Sequence, residues 1–235
     1  MEKNEDIFKA LEISQNIYEM LKERLRKGTS EREVYSWVDK MVQPYKKRHH
    51  GDFMGDFISG PRTAEIGGDP TDRRLEENDI FMLDLSLRYG TQWCDTCRTF
   101  FLGQPSDKMR DVYEKLLGCM KKGQETVKAG IEACKVKFAM EDYLKENGYG
   151  GLMPHHGGHA VGKECYFKPA FEEQCTMTVE DDEIVTLEPG VYFEGQWGIR
   201  IENNFIVKGD KLINIFDYPI DMEYFIIDRK GKENS

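Results

Sequence analysis

Four carboxylates interrupt runs of residues that otherwise read as strands in an apolar interior. Asp84 breaks Ile80-Phe81-Met82-Leu83-Asp84-Leu85 and Asp95 falls in Trp93-Cys94-Asp95-Thr96. Glu188 closes Ile184-Val185-Thr186-Leu187, and Glu202 lies in Gly198-Ile199-Arg200-Ile201-Glu202. A bare carboxylate in such a setting is costly, because burial removes the water that stabilises its charge. A chain that repeats the anomaly four times has to fold so that these charges are compensated. The first two are spaced about a common centre, Tyr89-Gly90. A hairpin turning there sets Asp84 directly across from Asp95 on one face, with Cβ atoms about 4.5–5.5 Å apart. Like charges so placed repel, so the pairing requires a cation between them or one protonated carboxyl. In a different register one Asp faces solvent.

The elements around these strands follow from periodicity. Ile7, Leu11, Tyr18, Leu21 and Leu25 recur at helical spacing and stop before Gly28, which predicts a first helix. Ser30 and Glu33 form a capping box ahead of Val34, Trp37, Val38 and Met41, predicting a second helix that ends near Pro44. Strand-like segments follow at Phe57-Ile58, 80–87 and 93–102. Ser106 caps a third helix through Met109, Val112, Tyr113, Leu116, Leu117 and Met120, and a shorter fourth, with Phe138 and Leu144, ends before Gly148. Strands return at 183–187, 191–193, 199–207 and 211–216. Helices, strands, helices, strands predict an α+β fold of two similar halves around one sheet system, with residues 1–235 as one domain.

Composition excludes several partner classes. With 33 Lys+Arg against 43 Asp+Glu the net charge is −10, so a broad basic surface for nucleic acid or anionic lipid is not expected. The sequence starts Met-Glu-Lys-Asn-Glu-Asp and has no long apolar run, so neither a signal peptide nor a membrane span is expected, and the predicted location is the cytoplasm. The six cysteines are too sparse for a disulfide scaffold; free thiols are the expectation, and Cys94 with Cys97 is the one close pair, with a redox motif or half a zinc site as its alternatives.

The five histidines occupy two places, His49-His50 and His155-His156-Gly-Gly-His159. The first pair, flanked by Lys and Arg, reads as a solvated turn. The second sits in a Gly-rich stretch where backbone and imidazole can approach a ligand closely. Four acidic groups and one His offset the charge of two divalent cations, and an oxygen-rich donor set with one nitrogen suits Mn²⁺, Fe²⁺, Co²⁺ or Zn²⁺.

In this order the motifs Leu83-Asp84-Leu85, Asp95-Thr96-Cys97-Arg98-Thr99, Gly158-His159-Ala160-Val161-Gly162, Thr186-Leu187-Glu188-Pro189-Gly190 and Gly198-Ile199-Arg200-Ile201-Glu202 resemble the ligand set of the pita-bread metallopeptidases. That family includes methionine aminopeptidase, aminopeptidase P, prolidase and creatinase. The resemblance covers residues 5 to 225, and Arg98-Thr99 with Arg200-Ile201-Glu202 is similar to the aminopeptidase P and prolidase branch. It implies an α+β pita-bread catalytic domain, two pseudo-related halves around a curved antiparallel sheet. It also implies two metal ions: Asp84 on one, Asp95 and Glu202 bridging both, His159 and Glu188 completing the other side. A metal-bridging water or hydroxide is implied as the attacking group, with Glu188 moving the proton, Arg200 orienting Asp84 and His155 on the substrate side. For Arg200 a surface position on an edge strand is the alternative.

Two departures from that family stand out. Gly67 occupies the place of a loop histidine, and Tyr166 the place of a second histidine seven residues beyond His159. A phenol donates a hydrogen bond at neutral pH, so Tyr166 can replace one donor to a tetrahedral intermediate. The expected function is a dinuclear metal-dependent aminopeptidase of the Xaa-Pro type, acting on a small peptide, with a homodimer as the assembly considered. The alternatives are an enzyme of the same fold acting on a non-peptide small molecule, and a binding protein that has lost turnover.

Overall fold

The computed structural model describes residues 2–49 and 51–228. Helix α1 (Glu2–Arg24) buries Ile7, Leu11, Tyr18 and Leu21, the apolar stripe expected from their spacing. Helix α2 (Glu31–His49) starts at the expected capping box: Glu33 N donates to Ser30 Oγ (3.2 Å), and Ser30 N donates to the Glu33 carboxylate (2.8 Å). It does not end at Pro44. Proline removes only the hydrogen bond to the Lys40 carbonyl, and both residues lie on the exposed side, where water replaces that bond. The His49-His50 expectation concerns side chains outside the described residues.

Strands β1 (Asp52–Ser59), β2 (Ile80–Tyr89) and β3 (Gln92–Leu102) form an antiparallel sheet, extended by a parallel edge strand, β11 (Ile226–Ile227). Helices α1 and α2 cover it, and Tyr18 Oη reaches the Thr96 carbonyl at 2.9 Å. Helix α3 (Asp107–Thr126), capped by Ser106, packs on α4 (Ala133–Glu146). In α4 the buried residues include Val136, Met140 and Leu144, while Phe138, expected inside, is 45% exposed.

The second half follows. Strands β4 (His159–Ala160), β5 (Phe167–Ala170), β6 (Ile184–Leu187), β9 (Asn203–Lys208) and β10 (Lys211–Asn214) form a sheet in the order β10-β9-β6-β4-β5. Strands β7 (Gly190–Phe193) and β8 (Trp197–Arg200) make a separate hairpin. The α+β reading holds, with one change: among the described residues the strands form three sheets, and the single strand expected over 199–207 is divided. Its backbone leaves β7 after Arg200, and Glu202 pairs with Cys97 of β3 (N–O distances of 3.1 and 3.4 Å) before β9 begins.

That crossing joins the two halves. The buried Arg98 guanidinium donates to the Cys97 and Glu202 carbonyls, Asn203 Oδ1 and the Pro219 carbonyl at 2.7–3.0 Å. Asn204 Oδ1 accepts from Asp95 N at 3.2 Å. All six cysteines are free thiols, and Cys97 Sγ lies 3.6 Å from the Arg200 carbonyl.

Candidate metal centre

β2 and β3 meet through the two-residue loop Gly90-Thr91, with Tyr89 opposite Gln92 and Gly90 at a φ of +58°. The turn is therefore one residue later than Tyr89-Gly90. Asp84 pairs with Cys97, and Asp95 with Ser86. The two carboxylates still share a face, as diagonal neighbours rather than directly opposed ones. The residue directly opposite Asp84 is Asp56 on β1, a carboxylate the sequence reading passed over.

Arg200 lies between that opposed pair. Its Nη2 is 2.8 Å from Asp84 Oδ2 and 3.1 Å from Asp56 Oδ2, and the residue is 4% exposed, so the surface alternative does not apply. Nη1 donates to Tyr192 Oη and the Ile66 carbonyl, both at 2.9 Å. Tyr192 Oη in turn lies 2.9 Å from His155 Nε2. Tyr192, like Asp56, was absent from the sequence reading because each reads as an ordinary residue of a short strand.

His159 begins β4 behind Gly158, whose φ of +150° and 2.1 Å Cβ clearance to the Thr186 carbonyl permit only glycine. His159 Nδ1 sits 2.9 Å from the Ala160 carbonyl, which places its proton there and turns Nε2 toward the carboxylates. Nε2 is 3.6 Å from Asp95 Oδ2 and 3.5 Å from Glu188 Oε1. Asp95, His159 and Glu202 each present one donor atom, all within 4.8 Å of one another. His156 brings Nδ1 to 3.1 Å from Glu188 Oε1, and His155 Nδ1 is 3.8 Å from Oε2. Tyr166 is 41% exposed, with its ring 4.7 Å from that of His159 and 5.3 Å from that of His156. Gly67 backs onto the Asp56 carboxylate.

The electrostatics disfavour full ionisation of this carboxyl cluster on its own. Burial pushes Asp84 well above the usual carboxylate range against the pull of Arg200, with Asp95 and Asp56 adding to the rise. Burial, Asp95 and Glu188 do the same to Glu202. Around Glu188 burial is outweighed by His156, His159 and His155, which hold its carboxyl down at about 2. Burial lowers His159, but the Asp95 and Glu188 carboxylates lift it to about 9; His155 is lowered to about 3, chiefly by burial. Among the described residues Asp95 Oδ1 and Glu202 Oε1 are buried without a hydrogen-bond partner. Unpaired buried carboxylate oxygens beside an imidazole nitrogen fit a divalent cation, which would take the place of the proton on His159 Nε2. Beyond the histidines the surface opens into a 600 Å³ cavity lined by Met153, Pro154, His155, His156 and Gln174, and a 520 Å³ one lined by Ile66, Leu152 and Tyr192.

The profile of Metallopeptidase family M24 matches residues 5–209. An Xaa-Pro dipeptidase of Pyrococcus furiosus is 31% identical over 206 residues, which is 88% of this chain and 59% of that protein. The solved structure of an X-Pro aminopeptidase from Thermotoga maritima aligns with a TM-score of 0.88 at 26% identity, over 95% of this chain and 62% of that one. Prolidase from Pyrococcus furiosus aligns with a TM-score of 0.86 at 29% identity, over 93% and 64%. The chain thus spans about three fifths of the length of these relatives.

Proposed function

The chain belongs to metallopeptidase family M24, and from that membership we propose that it is a dinuclear metal-dependent hydrolase that cleaves small Xaa-Pro peptides. The observation that carries the proposal is the convergence of Asp95, His159 and Glu202 donor atoms, two of the carboxylate oxygens being buried and unpaired. Asp84 and Glu188 flank that group, completing a set of five ligands for two ions of Mn²⁺, Co²⁺, Fe²⁺ or Zn²⁺. When bound, the ions activate water and polarise the scissile carbonyl.

The protein's own groups supply the remaining functions. Glu188, ringed by three imidazoles, accepts and returns the proton. Arg200 fixes Asp84 through a rigid fork of donors. His155, joined to Tyr192 Oη, faces the cavity on the substrate side. The Tyr166 hydroxyl donates to the developing oxyanion, the task that its place beside His159 and His156 suits.

A second reading, a non-peptide amide as substrate, is favoured by one observation: the corner at Gly67 presents the Asp56 carboxylate in place of an imidazole. A cytoplasmic location, one catalytic domain over residues 1–235 and homodimerisation belong to the same proposal, and cell fractionation and sedimentation equilibrium check the first and last.

The deciding experiment is elemental analysis of the purified protein, combined with a Mn²⁺- or Co²⁺-supplemented assay on Xaa-Pro and other N-terminal peptides. Two metal ions per chain with Xaa-Pro cleavage is the expected result. Two ions with every peptide intact moves the substrate to the non-peptide class, and a chain that takes up no metal is a binding protein.

A further inference from the structure

Asp56 and Asp84 share one rung of the β1–β2 ladder, and like charges directly opposed destabilise a sheet. The Arg200 guanidinium resolves the conflict by lying against both, its Nη2 at 3.1 and 2.8 Å. Its other end is committed to Tyr192 Oη and the Ile66 carbonyl. The guanidinium is planar, so fixing both ends fixes its orientation. Without Asp56 the Nη2 end is held by Asp84 alone, and Asp84 is then free to turn with it.

The neighbouring glycine gives a second, independent observation. A Cβ at position 67 would lie 2.8 Å from both Asp56 oxygens and 3.0 Å from Cγ. The carboxylate has no cheap way to yield, because Oδ1 accepts from Gly68 N at 2.8 Å while Oδ2 is paired with Arg200. Asp56 fills the room that the stem of any side chain at 67 needs.

We propose that Asp56 is a positioning residue that orients Arg200 and, through it, Asp84, and that its carboxylate is the reason position 67 is glycine. The two positions form a matched pair beside Arg200. The role toward Asp84 rests on the metal-dependent reading above; the packing of Asp56 against Gly67 does not.

The test is a cycle of Asp56→Ala, Gly67→Ala and the double variant, read by Mn²⁺ titration calorimetry and, without metal, by thermal melting. Removing a partner that supports a metal ligand costs about 10–100-fold in metal affinity, so Asp56→Ala is expected to weaken Mn²⁺ binding by that factor. Gly67→Ala does the same by displacing the carboxylate, and the double variant is no worse than Asp56→Ala. Gly67→Ala lowers the melting temperature only where Asp56 is present. Losses that multiply in the double variant, or an Asp56→Ala protein with the parent's Mn²⁺ affinity, overturn the proposal. A parent that takes up no Mn²⁺ overturns the metal reading instead. The melting data then still decide the pairing, and equal destabilisation by Gly67→Ala in both backgrounds refutes it.

Discussion

Three imidazoles face the single carboxylate of Glu188, at 3.8, 3.1 and 3.5 Å for His155, His156 and His159. His159 and His155 differ in what their second nitrogens meet. His159 Nδ1 is taken by the Ala160 carbonyl, leaving Nε2 for the carboxylate group, whereas His155 Nε2 is joined to Tyr192 Oη on the cleft side. Asp95 is held from both ends, its carboxylate by Ser86 Oγ at 2.9 Å and its backbone by Asn204. Asp95→Ala should therefore keep the fold while losing turnover by more than the about 100-fold that loss of a supporting partner costs; circular dichroism beside a Mn²⁺ assay checks both halves, and full metal content with parental turnover removes Asp95 from the site. Tyr166→Phe should lower kcat by about tenfold with little change in KM, below the 10²–10³ of a fully enclosed oxyanion donor because Tyr166 is 41% exposed. Identical rates in parent and variant exclude the hydroxyl from the mechanism. The carboxylates at 84, 95, 188 and 202 were legible from sequence because each violates an apolar pattern. Asp56 was not, since in Met54-Gly55-Asp56-Phe57 it violates nothing; only the pairing of β1 with β2, which no local pattern encodes, sets it against Asp84.

Short-range chemistry specified the elements better than it specified their pairing. The Ser30–Glu33 box satisfies two backbone donors reciprocally and sets the start of α2. Glu33 is held below the usual carboxylate range first by its hydrogen bond from Ser30 N and then by the Ser30 hydroxyl. A group depressed in the fold stabilises it above the unfolded pKa, and that contribution is lost as pH falls through the folded value. Ser30→Ala should cost about 1 kcal/mol at neutral pH, measured by urea denaturation. A smaller cost well below pH 4 is expected, once the Glu33 half of the box is protonated in both states; a cost independent of pH would falsify the coupling of the two caps. The end of α2 was misjudged at Pro44 because a sequence does not reveal that the orphaned carbonyl faces water. The β2–β3 register was misjudged because Gly90 can occupy either central position of a two-residue turn, and which one it takes moves every cross-strand pair by two residues. The division of the last long strand at Ile201 depends on β3 being there to accept Glu202, a pairing more than a hundred residues distant in sequence.

At the scale of the molecule, the site lies where the two halves meet: Asp84 and Asp95 come from the first sheet, His159 from the second, and Glu188 and Glu202 from the segments beside the β7–β8 hairpin. The seam is a liability without a cation, because buried carboxylates with unpaired oxygens are costly in a low-dielectric interior. It becomes an asset when a cation binds, because a ligand that binds only the folded state stabilises it by about 2.7 kcal/mol at a hundredfold excess over Kd. For a chain of this size each 1 kcal/mol raises the melting temperature by about 2–4 °C. Mn²⁺ at that excess should therefore raise it by at least about 5 °C. Glu202→Gln separates the two contributions, since it keeps the shape but replaces a carboxyl whose charged form burial and the neighbouring carboxylates disfavour. The metal-free variant should melt at or above the metal-free parent, while the Mn²⁺-dependent rise should largely vanish. Differential scanning calorimetry of the four samples decides the matter. A Glu202→Gln protein that is destabilised without metal yet retains the full Mn²⁺ shift would show that Glu202 braces the seam as a structural residue and that the ions bind elsewhere.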